Sequence, residues 1–328
     1  MNRKIILIVT LLLLIGLWLS AGKKKPEWIL NPYSRYPSEQ YLCGVGMAKE
    51  LNNAQNEALK NIAGFFETSV IAVTKSMERE KSSSSGYQTN SETSSSVKAI
   101  AEGNLKYTRI METWQDPKTK TFYALAVMDK IAVQTIYRNE IDDCEEFIEN
   151  CLTPTDDPLI HYAKILSAID KLQQTQDAYT YYNALASDSG IMLKPFHSLQ
   201  ELVELRNYAA REIPLQIRVF GESSGLLDAS LKYVLNQMGL LENDNSEYQI
   251  VATVHPEPYK SLGQQIFQPL RLNISFNYRE KNLFSFVDKT EQGGSTIEEA
   301  TSRGIRVLAQ NIENKFRKDF NQFLLNLH

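Results

Sequence analysis

Histidine and cysteine are scarce in this chain of 328 residues, with four of the first and three of the second. The histidines, His161, His197, His255 and His328, stand singly, with no HExxH and no paired cysteines around them, so a zinc site has no support in the sequence. A nucleophile needs an oriented base, and histidine is the usual one; no serine sits in a GxSxG setting, and there is no GxxxxGK[ST] segment for phosphate. Gly44 and Gly46 form a GxG between a strand and a helix, but Lys49 stands where the dinucleotide fingerprint needs its third glycine. Close strand packing is the expected role of those glycines. Cys144 and Cys151 lie seven residues apart; on one helix their backbones would be about 10 Å apart, too far for a disulfide. Cys43 falls in an apolar run and reads as a small core residue.

Long basic runs are also missing, apart from Lys23, Lys24 and Lys25. These follow the one long apolar stretch, Ile5 to Leu19, which Arg3 and Lys4 precede and Ser20, Ala21 and Gly22 close. A charged start, an apolar centre and a small-residue exit have the layout of a secretory signal. The run is shorter than the roughly 20 residues that cross a bilayer comfortably. Cleavage is the first expectation, retention as an anchor the second. The three lysines are then candidate membrane-proximal groups beside anionic headgroups. The 35 basic residues less Arg3 and Lys4 leave 33 against 39 acidic ones, which argues against nucleic acid as a partner.

With 43% apolar and 23% charged residues the chain is globular in composition, and its length allows two cores. After residues 1–25, signal or anchor, residues 26–130 read as a strand at 41–48, a helix with Ala54, Ala58, Ile62, Phe66, Val70, Val73 and Met77 on one face and Asn53 as its cap, and two strands at 106–115 and 121–128. Asp116 and Pro117 supply the turn between the strands. Lys81 to Ser96 is a serine-rich exposed or disordered insert, followed by a helix at 97–105. Residues 131–212 read as a helical connector broken near Pro154 and Pro158 and again around 187–195, with no repeat at a 34-residue period. Residues 213–328 give a strand, a helix stopped by Gly239, three more strands including a hairpin at 279–282, and a closing amphipathic helix with Thr296 and Glu299 as a capping box. The expected fold class is α+β: two small antiparallel sheets with helices, joined by a helical segment.

The pieces PEWILNP at 26–32, YLCGVGMA at 41–48, AQNEALKNIA at 54–63 and ETWQDPKTKTFYALAVMDK at 112–130 together resemble the LPP-twenty-type lipoprotein domain, related in layout to the amino-terminal domain of the flagellar assembly protein T. The resemblance covers a third of the chain and implies tethering at an envelope membrane. Lipid tethering takes a cysteine just after the leader, and Lys23 stands there. By order of elements alone, the carboxy-terminal third is similar to small envelope domains such as that of the penicillin-binding-protein activator LpoB and the amino-terminal part of TolB.

Neither resemblance implies catalysis, a metal or a cofactor. Asp142 with Asp143 and Glu145 with Glu146 read as a solvated helix face. Trp28 and Trp114, with Tyr33 and Tyr36, are candidates for an interaction surface, although core packing is the commoner fate of such rings. The expectation is a non-catalytic exported protein, periplasmic or membrane-attached, whose partners are other envelope proteins and, through the three lysines, the membrane surface. The alternatives are an envelope hydrolase acting on cell-wall glycans and a structural part of a secretion or motility assembly.

Overall fold

The computed structural model describes residues 24–82, 107–186 and 192–327. The expected helix at 97–105 and most of the insert at 81–96 lie outside these residues, while Lys81 and Ser82 are the last two residues of a helix. The chain folds into two compact units, one running to Asp142 and including Gln176–Lys194, the other made of Asp143–Thr175 and the chain from Pro195.

The first unit holds a three-stranded sheet of β1 (Tyr41–Ala48), β2 (Thr108–Gln115) and β3 (Phe122–Asp129), ordered β1-β3-β2 and antiparallel throughout. The central strand β3 is buried from Ala124 to Met128, because both faces of the sheet are covered. On one face lies α1 (Leu51–Ser82), which buries Ala54, Ala58, Ile62, Phe66, Val70 and Val73; Met77 lies outside the described side chains. A Cβ placed on Gly44 would lie 2.4 Å from the Ala58 carbonyl oxygen, and one on Gly46 would lie 2.1 Å from that of Ala54. The glycines therefore serve close packing of strand on helix, as the sequence pattern predicts. The helix begins at Leu51, so Asn53 is inside its first turn and donates its side-chain amide to Glu50 instead of capping.

The edge strand β1 is closed from the helix side. Asn61 Nδ2 donates to the Val45 carbonyl at 2.8 Å and the Met47 N–H donates to Glu57 Oε2 at 2.8 Å, which satisfies backbone groups that an edge otherwise leaves open. Met111 is the extra residue of a bulge in β2. Between β2 and β3 the Asp116 carboxylate accepts from the Lys118 and Thr119 amides, as the Asp-Pro turn predicts.

The helical segment consists of α2 (Lys130–Leu152), α3 (Pro158–Leu185) and α4 (Leu199–Ala209). It breaks at the prolines, and α2 and α3 each contribute to both units. Within the first unit, Tyr181 packs against Phe66 and Tyr137, with ring centroids 5.9 and 5.2 Å apart. Cys144 and Cys151 both lie on α2 and form no disulfide.

In the second unit β4 (Leu215–Phe220), α5 (Leu226–Gln237) and β5 (Tyr248–Pro256) are followed by the short β6 (Lys260–Leu262), the hairpin of β7 (Gln265–Tyr278) and β8 (Lys281–Gly294), then α6 (Ile297–Asn311) and α7 (Arg317–Leu325). The sheet corrects the expectation of a fully antiparallel arrangement: β4 pairs with β5 in parallel, while β5, β6 and β8 all pair antiparallel to β7. A single helix between β4 and β5 returns the chain to the same end of the sheet, and such a crossover makes the strands parallel. The other departure is a π turn at Ile312–Phe316 that joins α6 to α7. Gly304, Leu308, Ile312, Phe316, Phe320 and Leu324 recur strictly every four residues and are buried. In an ideal helix each four-residue step drifts about 40° around the axis, and a one-residue π bulge takes back about 100°. The wide turn keeps Phe316 and Phe320 stacked at 5.3 Å and turned toward Phe276, Phe284 and Phe286 of the hairpin.

Gly46→Ala should cost about 3 kcal/mol, since backbone is what the new methyl meets. Gly64, in α1 with nothing within 4 Å of its Cβ position, is the control: Gly64→Ala should gain about 0.5–1 kcal/mol. Urea unfolding of the two variants beside the parent checks both.

Candidate functional site

The face of the first sheet away from α1 is aromatic. Trp28, on a short 3-10 turn (Glu27–Ile29), packs on Leu125 and Val127, with Tyr36, Tyr41, Trp114 and Tyr123 around them. Trp28 is 2% exposed, which corrects its candidacy as a surface interaction residue: the ring is the plug of this face. Trp114 is half-buried on the edge strand β2, with its ring 5.6 Å from that of Tyr123. The ammonium of Lys25 lies over the Tyr123 ring, 5.6 Å from its centroid, within reach of a cation–π attraction. Lys24 is exposed, and Lys23 lies outside the described residues. Cys43 sits in the same layer, and burial pushes its thiol up to about 11, which makes it a packing residue and a poor nucleophile.

The second unit carries a groove of 690 Å³ where the chain leaves β4. Its wall is the loop Gly221–Gly225 and the start of α5; its other side is the first two turns of α6. Gly221 is required there twice over, by a φ of +84° and by the Val254 carbonyl oxygen 2.1 Å from its Cβ position. The Glu222 carboxylate folds the loop on itself by accepting from the Ser224 amide at 2.8 Å and the Gly225 amide at 3.1 Å. Glu298, Thr301 and Ser302 face it across the groove, and Leu226 and Ile297, each 39% exposed, supply apolar contact. Its own backbone amide and the Thr296 hydroxyl hold the Glu298 carboxyl below the usual range, so it stays charged at neutral pH and is a poor proton donor. Carboxylates, hydroxyls and two aliphatic chains in an open groove suit a basic or hydroxyl-bearing ligand. Sequence reading missed this groove, although its signal is present: the glycine-bracketed GESSG between a strand and a helix. The capping box beside it differs in detail. Thr296 accepts from the Glu299 amide, but the Glu299 carboxylate reaches back to Ser295.

His197 is the second missed residue. Its Nε2 lies 3.1 Å from Glu149 Oε1 on α2 and its Nδ1 lies 3.2 Å from Glu201 Oε1 on α4. A neutral imidazole donates through one nitrogen only, whereas the imidazolium donates through both. Burial on its own lowers the pKa of His197, but the two facing carboxylates outweigh it and the net direction is up. One residue earlier, the Phe196 amide donates to Glu145 Oε1 at 3.0 Å. Glu145 is buried, which corrects the reading of 142–146 as a wholly solvated face; Asp142, Asp143 and Glu146 are exposed. Among the described residues no group of three His, Cys, Asp or Glu side chains is arranged to hold a metal ion, and no helix is long and apolar enough to cross a membrane.

The molecule is thus a pair of α+β units, one with an aromatic sheet face and one with a polar groove. Residues 26–129 match the LPP20 lipoprotein family, in agreement with the resemblance seen in the sequence. That match ends at β3. No curated protein matches the chain. Among solved structures, a secreted protein of Helicobacter pylori aligns at 16% identity over 88% of this chain and 99% of its own, with a TM-score of 0.41. A minor lipoprotein of Acinetobacter baumannii aligns at 14% identity over 33% of this chain and 95% of its own, with a TM-score of 0.25. A lipoprotein of Caulobacter crescentus aligns at 13% identity over 33% and 89%, with a TM-score of 0.24.

Trp28→Ala should cost about 3–5 kcal/mol, as deleting a fully buried tryptophan does; a denaturation midpoint equal to that of the parent would return Trp28 to the surface. For His197 the sign follows from a folded pKa above the unfolded value near 6.5. Its contribution to stability is complete below about pH 6.5 and is lost as pH rises through the folded value. The protection factor of the Phe196 amide, exchange corrected for its intrinsic rise with pH, should therefore fall across that window, and His197→Gln should flatten that profile.

Proposed function

We propose that this is an exported, envelope-associated protein that is held at the membrane and works by binding other envelope components through its two α+β units, without turnover of a substrate. The observation that carries this reading is the LPP20 lipoprotein match at residues 26–129 directly behind a leader with the layout of an export signal. The chain has Lys23 where a lipid-bearing cysteine would stand, so for attachment this proposal takes the second of the two expectations for the leader, retention as an anchor, over the first, cleavage. The groove supports binding over hydrolysis: a glycan-cleaving acid needs a raised pKa, and Glu298 is shifted the other way.

Fractionation of cells with mass determination of the amino terminus tests this. The expected result is the chain in the membrane fraction with residues 1–22 retained, and envelope proteins crosslinked to it on pull-down. Intact chain dissolved in the cytosol would end the proposal, and purified protein that cleaves cell-wall glycan, with loss on Glu298→Gln, would replace binding by hydrolysis.

A further inference from the structure

The end of the first sheet that carries the β2–β3 turn gathers lysines around exposed and half-buried apolar groups. Met47, Tyr123 and Trp114 are cross-strand partners in one row over all three strands, and directly opposed residues point to the same face. Met47 is 54% exposed, and Tyr123 and Trp114 are half-buried. Lys25 lies over the Tyr123 ring. One row further on, where Ala48, Phe122 and Gln115 end the pairing, the chain adds exposed Lys49 after β1 and exposed Lys118 and Lys120 in the turn. The carboxylates at this end stay charged and are fewer than the lysines: Asp116 accepts from two turn amides, Glu57 from the Met47 amide and Glu50 from the Asn53 side chain, against Lys25, Lys49, Lys118 and Lys120. Lysines interleaved with tryptophan, tyrosine and methionine suit the headgroup layer, which takes amphipathic rings and attracts cations.

The chain itself names the occupant. The apolar run of the leader ends at Leu19, five residues before Lys24, and five residues reach at most about 18 Å when fully extended. If the leader stays in a bilayer, Lys24 and Lys25, and with them this end of the sheet, are held near its surface. We propose that the end of the first sheet bearing Lys49, Lys118, Lys120, Met47 and Trp114 rests on an anionic membrane surface and so fixes the orientation of the first unit on the membrane. This rests on the reading that the leader is retained.

The test uses the full chain reconstituted into phosphatidylcholine vesicles with and without phosphatidylglycerol. Lysines are acylated briefly and the sites are read by mass spectrometry, after flotation has established that the protein is on the vesicles. Lys49, Lys118 and Lys120 should label about fivefold more slowly on the anionic vesicles, the factor expected for one lysine at such a surface. Exposed Lys75, 24 residues along α1 from Leu51 and so about 36 Å away, should label equally on both. The turn variant Lys118→Glu/Lys120→Glu, on exposed positions, should still float and should lose the protection of Lys49. Flotation with equal labelling of Lys49, Lys118 and Lys120 on both vesicles would overturn the docking face while leaving attachment by the leader intact. Failure to float would overturn attachment, and the docking face with it.

Discussion

The approach of β1 to α1, at a distance that admits glycine and nothing larger, governs the first unit. The helix lies so close at Gly44 and Gly46 that its backbone carbonyls occupy the space a side chain would take. That contact lets Asn61 and Glu57 reach the outer edge of the strand, which would otherwise be a template for pairing with another chain. It also leaves the opposite face to larger residues, and Trp28 with its ring of tyrosines fills it. The candidate membrane end of the sheet is a product of the same arrangement. With the edge closed by α1 and the face plugged by Trp28, the lysines and the Met47–Tyr123–Trp114 row at the turn end remain available to a partner.

In the second unit the corresponding constraint is a stripe with a period of four. The hairpin offers a flat array of phenylalanines, and a regular helix with this spacing would carry its apolar residues off that array within a few turns. The π turn restores the alignment, so the long closing helix stays seated on β7 and β8 from Ala300 to Leu324. A fixed α6 in turn fixes the far wall of the groove. The near wall is set by the parallel crossover, which places the Gly221–Gly225 loop at the end of β4 beside the first turn of α5.

Most of the fold was legible because its elements carry clean local periods. The strand at 41–48, the Asp-Pro turn, the β7–β8 hairpin and the capped closing helix all fall where alternation, turn residues and capping residues place them. What was not legible depends on residues distant in sequence. The parallel pairing of β4 with β5 is decided by where α5 packs, and Glu145 is buried because Phe196, 51 residues later, brings an amide to it. The role of Trp28 was open for the same reason: its ring says only that it is large and amphipathic, and Leu125 and Val127 decide that it is core. Two signals were present and unread. GESSG between a strand and a helix marks a loop over a groove, and His197 with Glu201 one helical turn later marks a proton-bridged pair.

The charges of the two candidate surfaces bear on what each could bind. A chain with 35 basic and 39 acidic residues has no overall bias strong enough to choose a partner, so recognition must come from local segregation. At the turn end of the first sheet the exposed lysines Lys25, Lys49, Lys118 and Lys120 outnumber the carboxylates Glu50, Glu57 and Asp116, which leaves a local excess of positive charge to face an anionic surface. The groove of the second unit offers Glu222 and Glu298 and would be repelled by that same surface. A groove of this charge suits a ligand other than an anionic headgroup. Basic side chains of a protein partner, or a polar chain rich in hydroxyls, meet what the groove presents.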